Sequence, residues 1–518
     1  MEINLSILNW LPLFIVLLPL FAGLILYVKG AEKPALISSL VLGSTGLSLL
    51  ITVSFYSSVA AGLFPAIKLN ILPPVGLSFQ VDYLGFYTLL IFVTAGLVVS
   101  IYALRFMDIS DEKRHRYFCF HMLVLSGCYG VALAADFFSF YLFFEFMSIM
   151  FFVLVAHNQG REAVRAAFKF LIMTIIAGVS LFLAVAIIYW ETGTLEFASA
   201  GLGLNNSPLL LVSFIGFVIA FGIKAAMFPL HLWMPDAYSE GPLPAAALSS
   251  MIMLKTGVYG LIRVFGNIYG IEYLSKVDWG SYLVILAGFT ILFGSIVALA
   301  QKDLIRRLAY SGVAQLGYIV LGIAMLNELA LIGAAYHMLA HTFMKGTLFL
   351  CAGIMVKEAG SRKIVDMKAI GARIPVTMIC FTIASLTAVG MPPFNIFVSK
   401  WHLGLGALEI NNLVLILILL ASSMLNAAYY LPIVTRAFMG AEKAEDSGTG
   451  KSSDHENVNS KGNKEPCLSG KGSLSLLTEA PLALLIPTII LALGCFLFNM
   501  FPSNIPLELI EKGVSLYF

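Results

Sequence analysis

The sequence predicts an all-α protein that crosses a membrane many times. Three observations predict it. The 518-residue chain is 59% hydrophobic, with a mean hydropathy of +0.93. Only 12% of its residues are charged, about half the share a soluble chain carries. Apolar windows of about 20 residues, the length one helix needs to cross a bilayer, recur from end to end. The lipid bilayer is therefore its solvent. A net charge of +2 gives no sign of nucleic-acid binding, and no nucleic-acid partner is expected.

Fourteen spans are expected. The first three (7–28, 35–56 and 82–104) form an N-terminal unit, 1–104. The run Ile7–Tyr27 has no basic leader before it and no small-residue cleavage site after it, so it reads as a retained span. Spans 117–134, 136–156, 166–190, 208–230 and 243–265 occupy residues 105–265. Spans 281–300, 309–327, 329–355, 375–406 and 411–435 occupy 266–436. The twelfth is too long for one straight crossing and contains Pro392 and Pro393, so it reads as a broken helix. Residues 437–476 include Gly440 to Ser475, rich in Ser, Gly, Asn, Lys and Glu, which reads as a flexible cytoplasmic loop. A last span, 477–499, and a tail complete 477–518.

Orientation follows from the basic residues. With each loop numbered by the span before it, odd loops hold 22 of the 31 Lys and Arg. Even loops and tails hold only Lys68, Lys276 and Lys512. This bias places odd loops in the cytoplasm and both termini outside, in a cell membrane. It also supports the span count, because one missed or extra helix would scramble the alternation.

Charges inside the spans carry the functional signal. A charge at bilayer depth costs at least ~2.5 kcal/mol on insertion scales, so it faces the bundle interior and is presumed functional. Lys224 lies in "AFGIKAAMFPLHLWMPD" (Ala220–Asp236), Lys255 in "SSMIMLKTGVYG", Lys345 in "HMLAHTFMKGTLFL" and Glu145 in "FYLFFEFMSIMFF". Lys400 follows the double proline. A bland alternative is that each takes part in a buried ion pair that fixes packing. Four lysines and a glutamate over five spans exceed what packing requires. Lys169 and Arg263 lie near span ends and read as snorkelling anchors.

His337, His341 and Lys345 share one helix face by their i, i+4, i+8 spacing. A His-x3-His pair can bind zinc. Here the third neighbour is a lysine and no carboxylate adjoins, so a proton relay is the better reading. No metal is expected. No two of the six cysteines form a CxxC pair, and five lie in or beside apolar runs as small hydrophobes. No Gly-rich phosphate loop follows a strand-like run. No cofactor, and no redox or hydrolytic site of the chain's own, is expected.

Pro229 after Lys224, and Pro392-Pro393 before Lys400, interrupt two spans. Backbone groups freed at membrane depth are tolerated where they line a wet cavity. Paired interrupted helices in corresponding halves are a sign of an inverted-repeat transporter. His231, Asp236 and Asp303 are the supporting polar residues near these features.

These stretches carry a family resemblance. Lys224–Arg263, "KAAMFPLHLWMPDAYSEGPLPAAALSSMIMLKTGVYGLIR", resembles the signature of the antiporter-like subunits of respiratory complex I. Relatives of those subunits occur in Mrp-type sodium/proton antiporters and membrane-bound hydrogenases. "DLIRRLAYSGVAQLGY", "HTFMKGTLFLCAG" and "GMPPFNIFVSK" follow in the family's order, and the likeness covers about 80–436. It implies fourteen helices with two inverted five-helix repeats, 105–265 and 266–436. It implies that Glu145 pairs with Lys224, and that Lys255, His337, His341, Lys345 and Lys400 continue a polar axis across the membrane midplane. It implies a proton- or sodium-translocating subunit of a larger complex, whose partners are other antiporter-like and small hydrophobic subunits or a redox module. Tyr238 and Gln315 stand where many members have histidine, and "FNIF" replaces a common Gly-Phe, which leans toward the Mrp or hydrogenase branch. The chain also ends too soon after span fourteen for a long lateral helix, and the 440–475 loop is foreign to the family core. A stand-alone transporter for a small solute or cation is the alternative, though a solute needs one site rather than a row of lysines. A structural membrane scaffold is a third reading.

Overall fold

Runs of Leu, Ile, Val and Phe become helices in a bilayer because the backbone has no other hydrogen-bond partner there. The computed structural model describes residues 8–30, 34–72, 75–108, 113–198, 201–204, 207–439, 479–500 and 505–518. The expected loop from Gly440 to Ser475 lies outside the described residues. The elements in order are α1 (Leu11–Lys29), α2 (Pro34–Ser54), β1 (Ala66–Leu72), β2 (Val75–Gln80), α3 (Tyr83–Phe106), α4 (Arg114–Leu133), α5 (Phe137–Val155) and α6 (Arg161–Thr192). The seventh helix is split into α7a (Pro208–Lys224) and α7b (Met234–Glu240). Then come α8 (Leu243–Tyr269), α9 (Trp279–Ala300), α10 (Leu304–Ala324) and α11 (Glu328–Ala359). The twelfth is split into α12a (Pro375–Val389) and α12b (Asn395–Glu409), followed by α13 (Leu413–Phe438), α14 (Leu482–Met500) and α15 (Ile505–Val514).

The architecture is helical, as expected. Among the described residues twelve helices are long and apolar enough to cross a membrane, by length and composition, and α7a and α12a are shorter apolar helices. α8 is wholly buried, and α10 and α11 nearly so. They form the centre. α1, α2, α6 and α13 expose apolar side chains such as Leu50, Val179 and Leu417 around the outside, as helices facing lipid do.

Several boundaries differ from the sequence expectation. Span seven was expected to reach 230, but α7a stops at Lys224, five residues before Pro229. Ala226 adopts a left-handed conformation at φ 51°, and the residue before a proline disfavours the helical region, so the break begins early. The twelfth span opens between Val389 and Asn395, where Gly390 has φ 87°. The eighth runs on to Tyr269 through two π-helical stretches, Ser249–Met253 and Val264–Tyr269. The expected all-α fold also contains one antiparallel hairpin, β1–β2. Short strands and the amphipathic α15 lie outside the apolar windows, so hydropathy alone did not reveal them.

The loops sort by parity. On one face Asn158 donates to the Glu240 carbonyl at 2.9 Å, Arg362 meets Asp303 at 3.5 Å, and Ala369 N donates to the Arg436 carbonyl at 3.2 Å. These join odd loops 5, 7, 9, 11 and 13. On the other face Ser78 bonds Asp136, Phe137 N donates to the Leu195 carbonyl at 3.0 Å, and Ala198 N to the Asn267 carbonyl at 3.4 Å. These join even loops 2, 4, 6 and 8.

A local arrangement recurs along the chain. Asp136 caps α5 through Ser139 N and forms an isolated antiparallel bridge with Glu196. Asp303 caps α10 through Arg306 N and forms the same bridge with Lys363. The second arrangement lies 167 residues beyond the first. At that offset α6 and α11 coincide, each 32 residues long, and α7a and α12a both begin on proline, at Pro208 and Pro375. The first arrangement sits on the even-loop face and the second on the odd-loop face.

Candidate functional site

The site is built where two helices break and three central helices carry charge. α7a delivers Lys224 at its last turn. Its ammonium donates to Ser148 on α5 and lies over the Phe144 and Phe170 rings, 4.9 and 5.4 Å from their centroids. Such ring faces stabilise a cation inside a dry bundle. Trp233 Nε1 donates at 2.8 Å to the Ile223 carbonyl, which also accepts from Ala226 N at 3.2 Å, so the last turn of α7a is tied to the segment beyond the break. Pro229, Pro392 and Pro393 are all exposed, so both breaks open at the surface of the bundle.

Glu145 sits on α5, one turn before Ser148. The expected Glu145–Lys224 pair is not a direct salt bridge. The two act on each other through space, while Ser148 holds the ammonium. The Glu145 carboxyl lies flat against α6 at Gly178, where a Cβ would come within 2.7 Å of its carboxyl carbon and both oxygens. A glycine is required there for the approach.

Lys224 packs toward α8, where a Cβ at Gly257 would meet the Lys224 Cβ at 3.0 Å. Lys255, two residues earlier, is fully buried and donates to the Ser250 carbonyl. His341 on α11 lies within electrostatic reach of Lys255, Lys345 and His337, and His337 reaches Lys255 and Lys400. The two imidazoles stack with centroids 6.1 Å apart. His337 is held by Ser399 on α12b at 2.8 Å and by Gln315 on α10 at 3.1 Å. Lys345 donates to the Leu308 carbonyl at 2.7 Å and to Ser311, with Tyr430 at 3.3 Å. Lys400, half-buried, donates to Ser423 at 2.7 Å and to the Val389 carbonyl at 3.0 Å, that is, into the break of α12.

The supporting residues divide. Asp236 on α7b bridges Lys169 of α6 at 2.7 Å and Arg306 of α10 at 2.8 Å. Lys169, expected as a plain anchor, is therefore an ion-pair partner. Asp303 is a helix cap and salt-bridges Arg362. His231 is buried among Phe228, Phe293 and Tyr310 beside the break. Asp236 and Asp303 belong to the odd-loop face rather than to the row.

Sequence reasoning missed the hydroxyl and amide partners Ser148, Ser311, Gln315, Ser399, Ser423 and Tyr430. It also misread Arg263, which is buried and bidentate to Asp82 instead of snorkelling. Self-alignment at an offset of 167 would have found part of this. It pairs Ser148 with Gln315, Thr174 with His341 and Gly178 with Lys345.

Membrane-length helices, together with two interrupted ones, around buried lysines and histidines define a multi-pass membrane protein with polar groups in its interior. Within that class the chain belongs to the NADH:quinone oxidoreductase/Mrp antiporter transmembrane family, whose model matches residues 134–426. It is 32% identical to an NADH-quinone oxidoreductase subunit of Desulforudis audaxviator, over 85% of each chain. It is 30% identical to a Na(+)/H(+) antiporter subunit of Alkalihalophilus pseudofirmus, over 84% of this chain and 88% of that one. Its fold is that of a chain in the Mrp complex from Dietzia sp., with TM-score 0.84, 23% identity and coverage of 99% and 98%. It is also that of a chain in an archaeal membrane-bound sulfane sulfur reductase, with TM-score 0.82, 24% identity and coverage of 98% and 97%. The lean toward the Mrp branch is not separated by these identities, which are nearly equal for the two kinds of relative.

Proposed function

We propose that this chain is an ion-translocating, antiporter-like subunit of a multisubunit membrane complex. Protons or sodium ions are its cargo, and electrostatic change in neighbouring subunits drives it. The observation that carries the reading is the buried row from Lys224 through Lys255, His341 and His337 to Lys400, with Lys345 beside it. The lysines and His337 are held by hydroxyl, amide or carbonyl groups rather than neutralised by a carboxylate, and both ring nitrogens of His341 are left without a protein partner. A scaffold would neutralise buried charge. A row of exchangeable protons needs partners that accept either protonation state.

Polar atoms without a protein hydrogen-bond partner also cluster along this row. Glu145 Oε1, Thr174 Oγ1, Ser250 Oγ, Gln315 Nε2 and both His341 nitrogens are among them. Buried polar atoms are normally satisfied, so these are the positions at which water or a transferred proton is taken up. Glu145 is the switch. Two unit charges about 5 Å apart interact by roughly 3 kcal/mol at an effective dielectric of about 20. Moving Glu145 away from Lys224 by about 3 Å therefore changes that lysine's proton affinity by roughly tenfold, and losing the interaction altogether changes it by about a hundredfold.

The recurrence at 167 residues, on opposite faces, supports two inverted five-helix units, α4–α8 and α9–α13. Counting each broken helix as one crossing supports fourteen crossings. The parity of the loops, with the bias of basic residues, supports odd loops in the cytoplasm and both termini outside. The relatives' names, subunits of quinone oxidoreductases and Na(+)/H(+) antiporters, support a partnered role over a stand-alone solute transporter.

Lys224→Arg tests the carrier role. Arginine keeps the charge but does not release its proton in the working range. The variant is expected to assemble and to pump poorly. Lys224→Met is expected to assemble with some loss of stability and no pumping, because Glu145 can protonate when its partner is gone. The measurement is ion uptake into vesicles, normalised to assembled complex. Wild-type pumping by the Arg variant would sink the carrier role.

A further inference from the structure

α8 carries a second polar row that leaves the axis at Lys255. Lys255, Tyr259, Arg263 and Asn267 follow one another at four-residue spacing, so they share one helix face. The row leads from buried Lys255 to the even-loop face. Arg263 closes it. Its guanidinium donates to both Asp82 oxygens at 2.6 and 2.7 Å, to the Tyr259 hydroxyl from two nitrogens at 2.7 and 2.9 Å, and to Asn267 Oδ1 at 3.3 Å. All three nitrogens are thus engaged. The Arg263 side chain is 3% exposed and Asp82 23%, so the carboxylate stands between the cation and the outside. Phe197 and Tyr259 flank the guanidinium at 5.1 and 5.0 Å. The Tyr517 ring covers Gly266, leaving no room for a Cβ there, and its hydroxyl donates to Asn267 Oδ1 at 2.9 Å.

We propose that Arg263 is an electrostatic stopper: it prevents protons on Lys255 from leaving along α8 to the even-loop face, and so confines them to the axis. The inference rests on the proposed function only in taking Lys255 as a proton carrier. A fixed cation in a narrow polar path repels an excess proton, the device by which some pores exclude protons. The Tyr259 hydroxyl proton is committed to the Ala132 carbonyl at 3.1 Å, which leaves the row without a free donor. An ion pair that merely fastened α8 to the start of α3 has no need to stand in register with Lys255. The second half differs at the matching place. Tyr430 lies 167 residues beyond Arg263, and its hydroxyl contacts Lys345 and Ser311. A neutral, exchangeable group stands there in place of the fixed cation.

The test is passive proton flux through the full chain in proteoliposomes, under an imposed pH gradient and with the membrane potential clamped. Arg263→Gln is expected to raise the flux about tenfold, the size expected for one charge acting across roughly 10 Å at an effective dielectric of about 20. Arg263→Lys keeps the charge and is expected to stay tight. Adding Lys255→Met to Arg263→Gln is expected to remove the leak. If Arg263→Gln fails to fold, the double change Asp82→Asn with Arg263→Gln leaves no unpaired charge, keeps a capping residue at position 82, and is expected to leak, though less than the single change because Asp82 offsets part of the field of Arg263. Tight vesicles with either Gln variant, an equal leak from Arg263→Lys, or a leak that survives Lys255→Met would each overturn the stopper. The assay needs no pumping, so it fails or succeeds independently of Lys224. A leaking Arg263→Gln beside a Lys224→Arg that pumps normally would retire the Lys224 carrier and keep the stopper.

Discussion

Gly178 shows how one missing side chain sets the chemistry of another. Glu145 lies where a Cβ at position 178 would be, within 2.7 Å of three carboxyl atoms. At the matching place in the second half the roles are exchanged. Gly312 on α10 faces Lys345 on α11, whose Nζ would lie 3.9 Å from an added Cβ. One half places an acid beside a glycine, and the other a base. Gly178→Ala is therefore expected to push Glu145 from its position and lower ion uptake severalfold. The methyl group itself favours the helix by ~1 kcal/mol over glycine, so the melting temperature should fall little. Uptake equal to wild type in an assembled Gly178→Ala complex would mean that the Glu145 position does not matter. Glu145, Lys224 and Lys255 were legible in the sequence because a charge in an apolar run is rare and costly. Ser148, Ser399 and Ser423 were not, because serine is tolerated anywhere in a membrane helix. Only the neighbour across the interface makes it a ligand for an ammonium or an imidazole. Arg263 was misread for a related reason. Its place near a span end suggested snorkelling, and nothing local revealed that Asp82, 181 positions earlier, lies opposite it.

At the scale of elements, caps and breaks decide where charge can stand. Asp303 starts α10 by accepting from Arg306 N at 2.9 Å and also holds Arg362. Asp303→Ala is expected to cost ~1 kcal/mol through the lost cap, with a further small loss from the ion pair. Asp303→Asn keeps the cap and should recover most of it. Thermal unfolding of the purified chain, compared between the two variants, checks this. Equal destabilisation by both would assign the effect to charge instead. The breaks were legible from their prolines, but their positions were not. α7a ends at Lys224 because Ala226 turns left-handed and Phe228 N is drawn to Thr290 Oγ1 at 3.2 Å. That tertiary bond puts the lysine on the last turn, at the edge of the opening rather than within a continuous helix.

For the whole molecule, loop parity is the feature most open to direct test. Glu272 is exposed on the loop after α8, and Lys302 is exposed on the loop after α9. Glu272→Cys in intact cells is expected to react with a membrane-impermeant thiol reagent, and Lys302→Cys only after the membrane is opened. The reverse pattern would invert the proposed orientation while leaving the parity intact. The five cysteines in the described residues are all buried, which keeps the background from these five low.

By itself the sequence determined that the chain lies in a membrane, where most of its helices run, and that Lys224, Lys255 and Lys345 stand among apolar residues. These follow from composition and local order, because a bilayer admits one backbone solution and penalises every stray charge. The tertiary structure alone decided which buried charges face one another, which hydroxyls hold them, that Glu145 acts on Lys224 through space, and that Arg263 is closed off by Asp82. Those outcomes depend on helices α3, α5, α6, α8, α11 and α12b meeting at particular heights and rotations. Helix contacts of this kind are set by packing across long sequence separations, to which hydropathy is blind.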